Sequence, residues 1–563
     1  MKIRKYSATL FAPLPHAVLL ILLATRFLSG QVSGNIAGYV RDPSGAGIPN
    51  ASVTATMIEQ QTSRTITTNE EGFYNFVGMP NGHYQITFEA KGFDRQVHSN
   101  LELTVHQNLR VDARLSLGAV GAQLTVDASA PLVDTISPTL SGLIDDRRVV
   151  DLPLNGRNIV GLAAILPGVL NVTAPQQMNN ARGGPEMNVS GGRPNMNLFM
   201  FDGGYFNNPS RNTGLNYPPP DAIQEVRILT HNFNAEYGHN PGSQVEVVSK
   251  SGTNEFHGSA WEFLRNEDLN ARNFFSPRVP VEKQNQFGAA AGAPILKDKL
   301  FVFGSYQGLR DHAEAQSTQA QVPLDAQRAG NFTGLGVTLT NPTNPVTGAP
   351  FTDAAGRPCV AGNIIASGCI SPVAQNFLQY VPASASGQVV SLAANPRVGD
   401  MFMIRADWNQ SEKHRIFGHF FYDHNTHDSP FAGSGNLPGY NGETFAADTR
   451  QVTVNDTYTF RPNLLNQAIF TYLDTNSNEL GTTEINPSAV GINMPQYVPG
   501  GAISLNVGNN FVLGSGYPTR FLGHNYQFKD SLNWIKGRHN FKFGYELLHL
   551  AFQQIWIGSP NFY

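Results

Sequence analysis

The feature that most narrows the possible folds lies beyond Asn254, where segments alternating large apolar with polar residues are joined in two unlike ways. Phe256 to Leu264, Asn285 to Pro294, Lys299 to Leu309, Met401 to Asn409, His414 to Asp423, Arg450 to Phe460, Leu464 to Leu473, His524 to Ile535 and His539 to Phe552 carry this texture. A period of two puts apolar side chains on one face of a strand and polar ones on the other. Lys297-Asp298-Lys299, Gln410 to Lys413, Arg461-Pro462-Asn463 and Lys536-Gly537-Arg538 read as short turns. Asp311 to Asp400, Asn425 to Asp448 and Asn476 to Gly523 are long, polar and rich in Gly, Pro and Asn. Alternation alone also suits a soluble β-protein. Short turns at one end and long loops at the other, with strands of ~9 to 11 residues, predict an antiparallel transmembrane barrel.

Composition agrees with this reading. Only 14% of residues are charged, and 55 Gly with 36 Pro make the chain turn-rich and poor in helix formers. A net charge of −4, with no basic cluster past the first few residues, offers no electrostatic footprint for nucleic acid. Lys2, Arg4 and Lys5 precede an apolar run from Ala17 to Ala24 and then Ser29-Gly30-Gln31, the three-part form of a secretory signal spanning 1–30. The alternative, a single membrane anchor, is disfavoured because the run is well short of the ~18 residues a spanning helix needs.

Cys359 and Cys369 are the only cysteines, both within PCVAGNIIASGCISP. In an exported chain such a pair predicts a disulfide, stabilising by roughly 3 kcal/mol through loop-closure entropy. No His or carboxylate falls between them to complete a metal site.

Residues 31–117 show short strands at regular spacing: Asn35 to Arg41, Ala51 to Glu59, Ser63 to Thr68, Phe73 to Val77, His83 to Ala90 and Leu103 to Leu115. Turns such as Asp42-Pro43-Ser44-Gly45 and Pro80-Asn81-Gly82 separate them, as in a small β-sandwich. Through GYVRDPSGAGIPNASVTAT and TTNEEGFYNFVGMPNGHYQITFEAKGF the segment resembles the carboxypeptidase regulatory-like domain, a transthyretin-like β-sandwich. That resemblance implies no catalysis. No HExxH is present, and His83, His98 and His106 are scattered.

From 118 to 252 the pattern becomes mixed. Asp146 to Leu152 and Asn158 to Leu166 look helical, with Pro153 and Pro167 as stops, and Asn197 to Phe201, Ile223 to Leu229 and Gln244 to Ser249 read as strands. APLVDT, LPLNGRN, LPGV, SGGRPNMNLFMFDGG, and PDAIQEVRI through EYGHNPGSQVEVVSKSGTNEFHGSAWEF follow in order. By these motifs the chain resembles TonB-dependent outer-membrane receptors of the Oar-like group. The resemblance implies an α+β plug at 118–252 and an Oar-like barrel at 253–563, in a mainly β chain.

It further implies TonB, with its inner-membrane energising complex, as a partner. Gln123-Leu124-Thr125-Val126-Asp127 stands where such receptors offer a segment for strand addition, and its extended, β-branched character suits that role. Gln123 replaces the acidic residue that usually opens the segment, so the first plug strand or a linker is the other reading. Asn155-Gly156-Arg157-Asn158 reads as a fold determinant. Arg193, Asn195 and Asn197 form a candidate ligand-facing plug loop.

Nine strands are visible, whereas plugged transporters have about 22, so the expected chain is the N-terminal part of a longer barrel. The implied function is active uptake of an unidentified substrate across the outer membrane, with the N-terminal domain in the periplasm, outer-membrane lipid around the barrel and an extracellular ligand. The alternative is a surface adhesion or assembly protein without transport. No catalytic constellation, metal set or cofactor motif stands out, so no enzyme activity is expected.

Overall fold

The computed structural model describes residues 33–118, 123–127, 139–172, 184–272, 274, 278–314, 318–391, 394–430, 437, 442–481, 485–493, 503–508, 510–513, 519–537, 539–556 and 561–562. The expected secretory signal lies outside the described residues.

The first body is a sandwich. Strands β1 (Gly34–Arg41), β2 (Ser52–Met57), β3 (Thr62–Thr67), β4 (Phe73–Met79), β5 (Gly82–Glu89), β6 (Arg95–Leu103), β7 (Asn108–Arg110), β8 (Ala113–Arg114) and β9 (Gln123–Asp127) build it. One sheet has the order β4-β1-β7 with β8 also on β1, and the other runs β3-β2-β5-β6-β9. Ile36, Val53, Tyr74, Phe76, Ile86 and Phe88 fill the space between them. Gly38 lets β1 pass close to the chain after β7: a Cβ there would lie 1.9 Å from the Val111 carbonyl oxygen.

Two expectations are corrected here. Leu103 to Leu115 is not one strand: β6 ends at Leu103, and Thr104–Gln107 turn the chain before β7 and β8. The Gln107 side-chain oxygen accepts from the Thr104 amide (2.9 Å) and hydroxyl (3.0 Å), and His106 takes a positive φ of 58°. The segment Arg95–Leu103, absent from the sequence reading, is a full strand whose Gln96 and His98 point inward. That reverses the polar-out alternation by which such strands are recognised.

The second body is an α+β plug. Strands β10 (Leu140–Ile144), β11 (Val169–Asn171), β12 (Met187–Val189), β13 (Leu198–Phe201), β14 (Gly204–Tyr205), β15 (Ile223–His231) and β16 (Gln244–Ser249) form it, with an α-helix at Asp146–Asp151 and a 3₁₀ helix at Ile159–Ile165. Its main sheet has the order β10-β15-β16-β13-β14, with β13 parallel to β16 and the other neighbours antiparallel. Asp145 caps the α-helix by accepting from the Arg148 amide, and Asn158 caps the 3₁₀ helix through the Val160 amide. Phe199, Phe201, Phe206, Ile228 and Val247 make the core, which continues into the barrel wall through Phe303, Met403 and Phe421.

That wall is a meander of β17 (His257–Asn266), β18 (Glu282–Leu296), β19 (Leu300–Glu314), β24 (Ala394–Ser411), β25 (His414–Ser429), β26 (Glu443–Arg461), β27 (Leu464–Gly481), β30 (Thr519–Lys536) and β31 (His539–Trp556). The long connections hold β20 (Thr318–Gln321), β21 (Val360–Ala361), β22 (Ile364–Ile365), β23 (Gln388–Ser391), β28 (Ser504–Val507) and β29 (Phe511–Leu513), and the last strand is β32 (Asn561–Phe562). All nine wall strands pair antiparallel with their chain neighbours, and β17 and β31 are the two edges.

Burial alternates as a membrane wall requires. On β26, Thr449, Gln451, Thr453 and Asn455 face the plug, while Val454, Tyr458 and Phe460 face out. Trp408, Tyr458 and Trp534 are outward and lie near the short turns, where a membrane interface favours amphipathic rings.

Apart from β17, which has ten residues, the wall strands are longer than the expected nine to eleven: β25 has 16 and β26 has 19. Segments expected as loops, among them Asp311–Glu314, Ala394–Asp400, Asn425–Ser429 and Glu443–Asp448, continue the ladder. Cross-strand backbone pairing needs no apolar face once the strands have left the bilayer, so the apolar pattern stops before the strand does.

At the long-loop end the connections pack on one another. Val322, Phe377, Ile485, Val490, Ile503 and Leu513 form a separate apolar cluster, and Cys359 is bonded to Cys369 with their Cα atoms 5.6 Å apart.

Candidate plug latch and coupling segment

Strand β13 ends in Asp202-Gly203-Gly204, and each residue has a local reason. Asp202 and Gly203 both have positive φ (50° and 78°), which reverses the chain toward β14. The Gly203 amide donates to Glu246 Oε1 at 2.8 Å. At Gly204 the backbone runs against the wall: a Cβ would meet the hydroxyl oxygens of Thr471 at 2.5 Å and Thr453 at 2.7 Å.

The turn delivers the Asp202 carboxylate, fully buried, into a network shared with the wall. Ser249 at the end of β16 donates its amide (2.9 Å) and hydroxyl (2.6 Å) to it. His419 Nδ1 of β25 lies 2.7 Å from Asp202 Oδ2, and Arg405 Nη1 of β24 lies 3.4 Å from Oδ1. Arg405 also grips Asp407 through two 2.9 Å hydrogen bonds, and its guanidinium stacks over Phe417 at 4.2 Å. On the far side of the imidazole, His419 Nε2 faces Gln451 Oε1 at 3.1 Å, and Gln451 Nε2 donates to the Tyr205 carbonyl. Asn455 donates to the Asp202 carbonyl at 3.2 Å, and the Tyr205 amide donates to Gln527 at 2.8 Å.

Burial alone would push the Asp202 carboxyl upward, but Arg405 and His419 outweigh it and hold the group down at about 2. The carboxylate is therefore charged and compensated at any physiological pH. One short turn of the plug thus contacts four consecutive wall strands and β30 beyond them.

A second tie lies at Asn155-Gly156-Arg157-Asn158. Gly156 and Arg157 both have positive φ (67° and 55°), which swings the Arg157 side chain outward. It pairs with Asp221, donates to Gln307 Oε1 of β19 at 3.3 Å, and stacks over Trp261 (5.1 Å) and Phe263 (4.4 Å) of β17. The motif that reads as a fold determinant also joins plug to wall.

The expected coupling segment Gln123–Asp127 is a strand. It pairs in parallel with β6, from Arg95 opposite Gln123 to Ser99 opposite Asp127, as the edge strand of the sandwich sheet. The candidate plug loop divides. Arg193 and Asn195 are exposed, whereas Asn197 is buried and donates to the Met187 (2.7 Å) and Pro194 (3.2 Å) carbonyls while accepting from Ser243. Asn197 braces the plug and offers no free polar atom to a ligand. Beside this loop, Asn208, Ser210 and Asn216 face Asp423, Asn425, Thr449 and Ser477 across a narrow cleft, and Asn216 donates to Asp423 at 3.1 Å.

Arg405, Asp407 and His419 were not singled out in the sequence. The available signal was charge at inward positions of strands otherwise short of it, in MIRAD (403–407) and FGHFF (417–421).

Family comparisons agree with these three bodies. The carboxypeptidase regulatory-like domain matches residues 35–116, the TonB-dependent receptor plug domain residues 153–243, and the outer membrane beta barrel domain residues 248–561. The TonB-dependent transporter Oar of Myxococcus xanthus is 28% identical over 264 residues, covering 45% of this chain and 24% of its own length. Among solved structures, the outer membrane transporter YddB of Escherichia coli superposes with a TM-score of 0.46 at 11% identity, over 74% of this chain and 48% of that one. The ferric enterobactin receptor PfeA of Pseudomonas aeruginosa gives 0.41 at 12% identity, over 74% and 49%. The chain thus spans about a quarter of the curated relative and about half of these structures. With the barrel family matched over more than half of the chain, behind a plug and a regulatory-like sandwich in that order, this protein belongs to the Oar-like TonB-dependent receptors of the outer membrane.

Proposed function

We propose that the protein takes up a substrate across the outer membrane, with TonB drawing on the Gln123–Asp127 segment to displace the plug. The observation that carries this reading is the Asp202 network: a buried, charge-paired joint between plug and wall holds firmly at rest and fails once its geometry is broken. In this reading 31–117 is the periplasmic domain, 118–252 the plug and 253–563 barrel, with the short turns in the periplasm and the long loops outside. Arg193 and Asn195 would meet ligand from outside, and the Cys359–Cys369 bridge would brace an outer loop. The chain would carry no catalytic activity of its own. The test is accumulation of labelled siderophores, oligosaccharides and peptides by cells making the intact receptor, with and without TonB. Uptake of every probe unaffected by TonB would rule out energy coupling.

A second reading, surface adhesion, is favoured by one observation: the long loops pack around their own apolar cluster rather than standing as separate strands of coil. Deleting 123–127 separates the two, because adhesion would survive the deletion and transport would not.

A further inference from the structure

The sandwich does not hang free below the plug. Its Thr104–Gln107 turn, directly continuous with β6, is driven into the plug. Val105 is fully buried against Val248 of β16 and Phe417 of the wall. The Val105 amide donates to Glu225 Oε1 at 3.0 Å, and Arg227 donates to the Val105 carbonyl and, at 3.4 Å, to the Thr104 hydroxyl. The His106 ring meets Tyr237 edge-on at 5.9 Å. Glu225 and Arg227 lie on β15, paired with Val248 and Glu246 of β16, so the turn grips two adjacent strands of the plug sheet, the central one among them. Strand β16 ends at Ser249, which donates to Asp202 in the latch.

The coupling strand lies on the same path. Strand β9 pairs with β6 in parallel, so both strands run toward the end at which Thr104–Gln107 enter the plug. A pull on β9 away from the membrane therefore acts along the strand axis, and the ladder bonds between β9 and β6 share the load instead of opening one at a time. The covalent alternative is the 128–138 segment, eleven residues that span at most about 40 Å when straight. That segment is the second route by which force can reach the plug, whereas the route through β6 is built of contacts already made.

We infer that the sandwich is a transmission element: load placed on Gln123–Asp127 passes across β6 into the Thr104–Gln107 turn, and Val105, Glu225 and Arg227 are the positioning residues of its joint with the plug. This rests on reading Gln123–Asp127 as the coupling segment.

The test pulls on the intact receptor in lipid vesicles through a handle attached at Thr125→Cys, in optical tweezers. The parent protein should show plug unfolding as the first event, without prior slack. With Val105→Ser and Arg227→Met together, that event should come later by up to about 40 Å of extension, after a separate release of the sandwich at lower force. Plug unfolding at the same extension in both proteins, or slack preceding it in the parent, overturns the inference. Should the double variant fail to assemble, a Val105→Cys/Val248→Cys bond across the joint supplies the converse. The bonded receptor should never show late plug unfolding, and any late event overturns the inference. Binding of the isolated periplasmic domain of TonB, with and without Leu124→Pro, is measured separately. Unchanged binding would refute the coupling assignment while leaving the mechanical result standing.

Discussion

Replacing Asp202 by Asn removes the charge at the centre of the latch and leaves its volume in place. In the parent, the carboxylate takes two hydrogen bonds from Ser249, one from His419 and a 3.4 Å contact from Arg405, all buried. An amide keeps one acceptor oxygen, so at least one partner loses its bond, and Arg405 retains only Asp407. Breaking a buried charge pair from one side costs about 3 to 5 kcal/mol. The lower figure applies here because Arg405 keeps a carboxylate. A loss of about 3 kcal/mol raises the released-plug population roughly 100-fold. Amide hydrogen exchange on the intact receptor reads this directly: the amides of β13 and β16 should exchange roughly 100-fold faster, while those of β26 and β27 in the wall remain unchanged. The pH dependence supplies an internal check. Because the folded group titrates at about 2, against an unfolded value of 3.8, its contribution is complete above pH 4 and is lost as pH falls toward 2. That loss is on the order of 2 kcal/mol in the parent and should be absent from Asp202→Asn. Exchange within twofold of the parent at neutral pH would refute the latch.

Three further outcomes follow from the geometry. Arg157→Met should loosen the 155–158 turn by about 1 to 3 kcal/mol and change Trp261 emission, because both the Asp221 pair and the ring stack are lost; emission identical to the parent would count against that tie. At the sandwich joint, burial raises Glu225 to about 7 and Glu246 to about 8 and lowers His106 to about 3. Glu246 is held up by groups of its own plug and wall, so the docking effect falls on Glu225, and the histidine opposes it only below about 6.5; docking should weaken by roughly fourfold as pH rises from 6.5 through 8; protease protection of Thr104–Gln107 that stays level over that range would contradict this. Cys359→Ser should lower the stability of the outer loops by roughly 3 kcal/mol in urea-dependent proteolysis, with the wall strands unaffected.

The parts of this protein that could be read from sequence are those in which one residue's neighbours along the chain also determine its surroundings. Period-two segments such as Phe256 to Leu264, together with short turns such as Lys297-Asp298-Lys299 between later strands, locate all nine wall strands, because alternation and turn chemistry act over a few residues. Their outer ends were not legible, since Asn425 to Ser429 and Glu443 to Asp448 carry mostly polar side chains that also suit loops. Strand β6 was missed because Gln96 and His98 turn inward, and the turn after it because His106 takes a left-handed conformation that usually calls for Gly. The latch was hidden for another reason. Asp202 lies about 200 positions before Arg405 and His419, and only the packing of the plug against the wall makes them neighbours.

Under the proposed uptake function, the height of the wall sets a limit on how a bound substrate can be sensed. Ten residues of β25 separate its outer end, Ser429, from His419 in the latch, roughly 25 Å along the barrel axis for strands tilted by about 40°. Screening in physiological salt damps charge interactions through water beyond about 8 Å. A charge arriving among the outer loops would therefore be electrically silent at Asp202. News of occupancy has to travel as displacement, along the stiff parallel pair β13 and β16, both of which end at the latch. The receptor would answer to how far a ligand shifts the plug's outer loops, and two substrates of opposite charge that shift them equally would be indistinguishable to it.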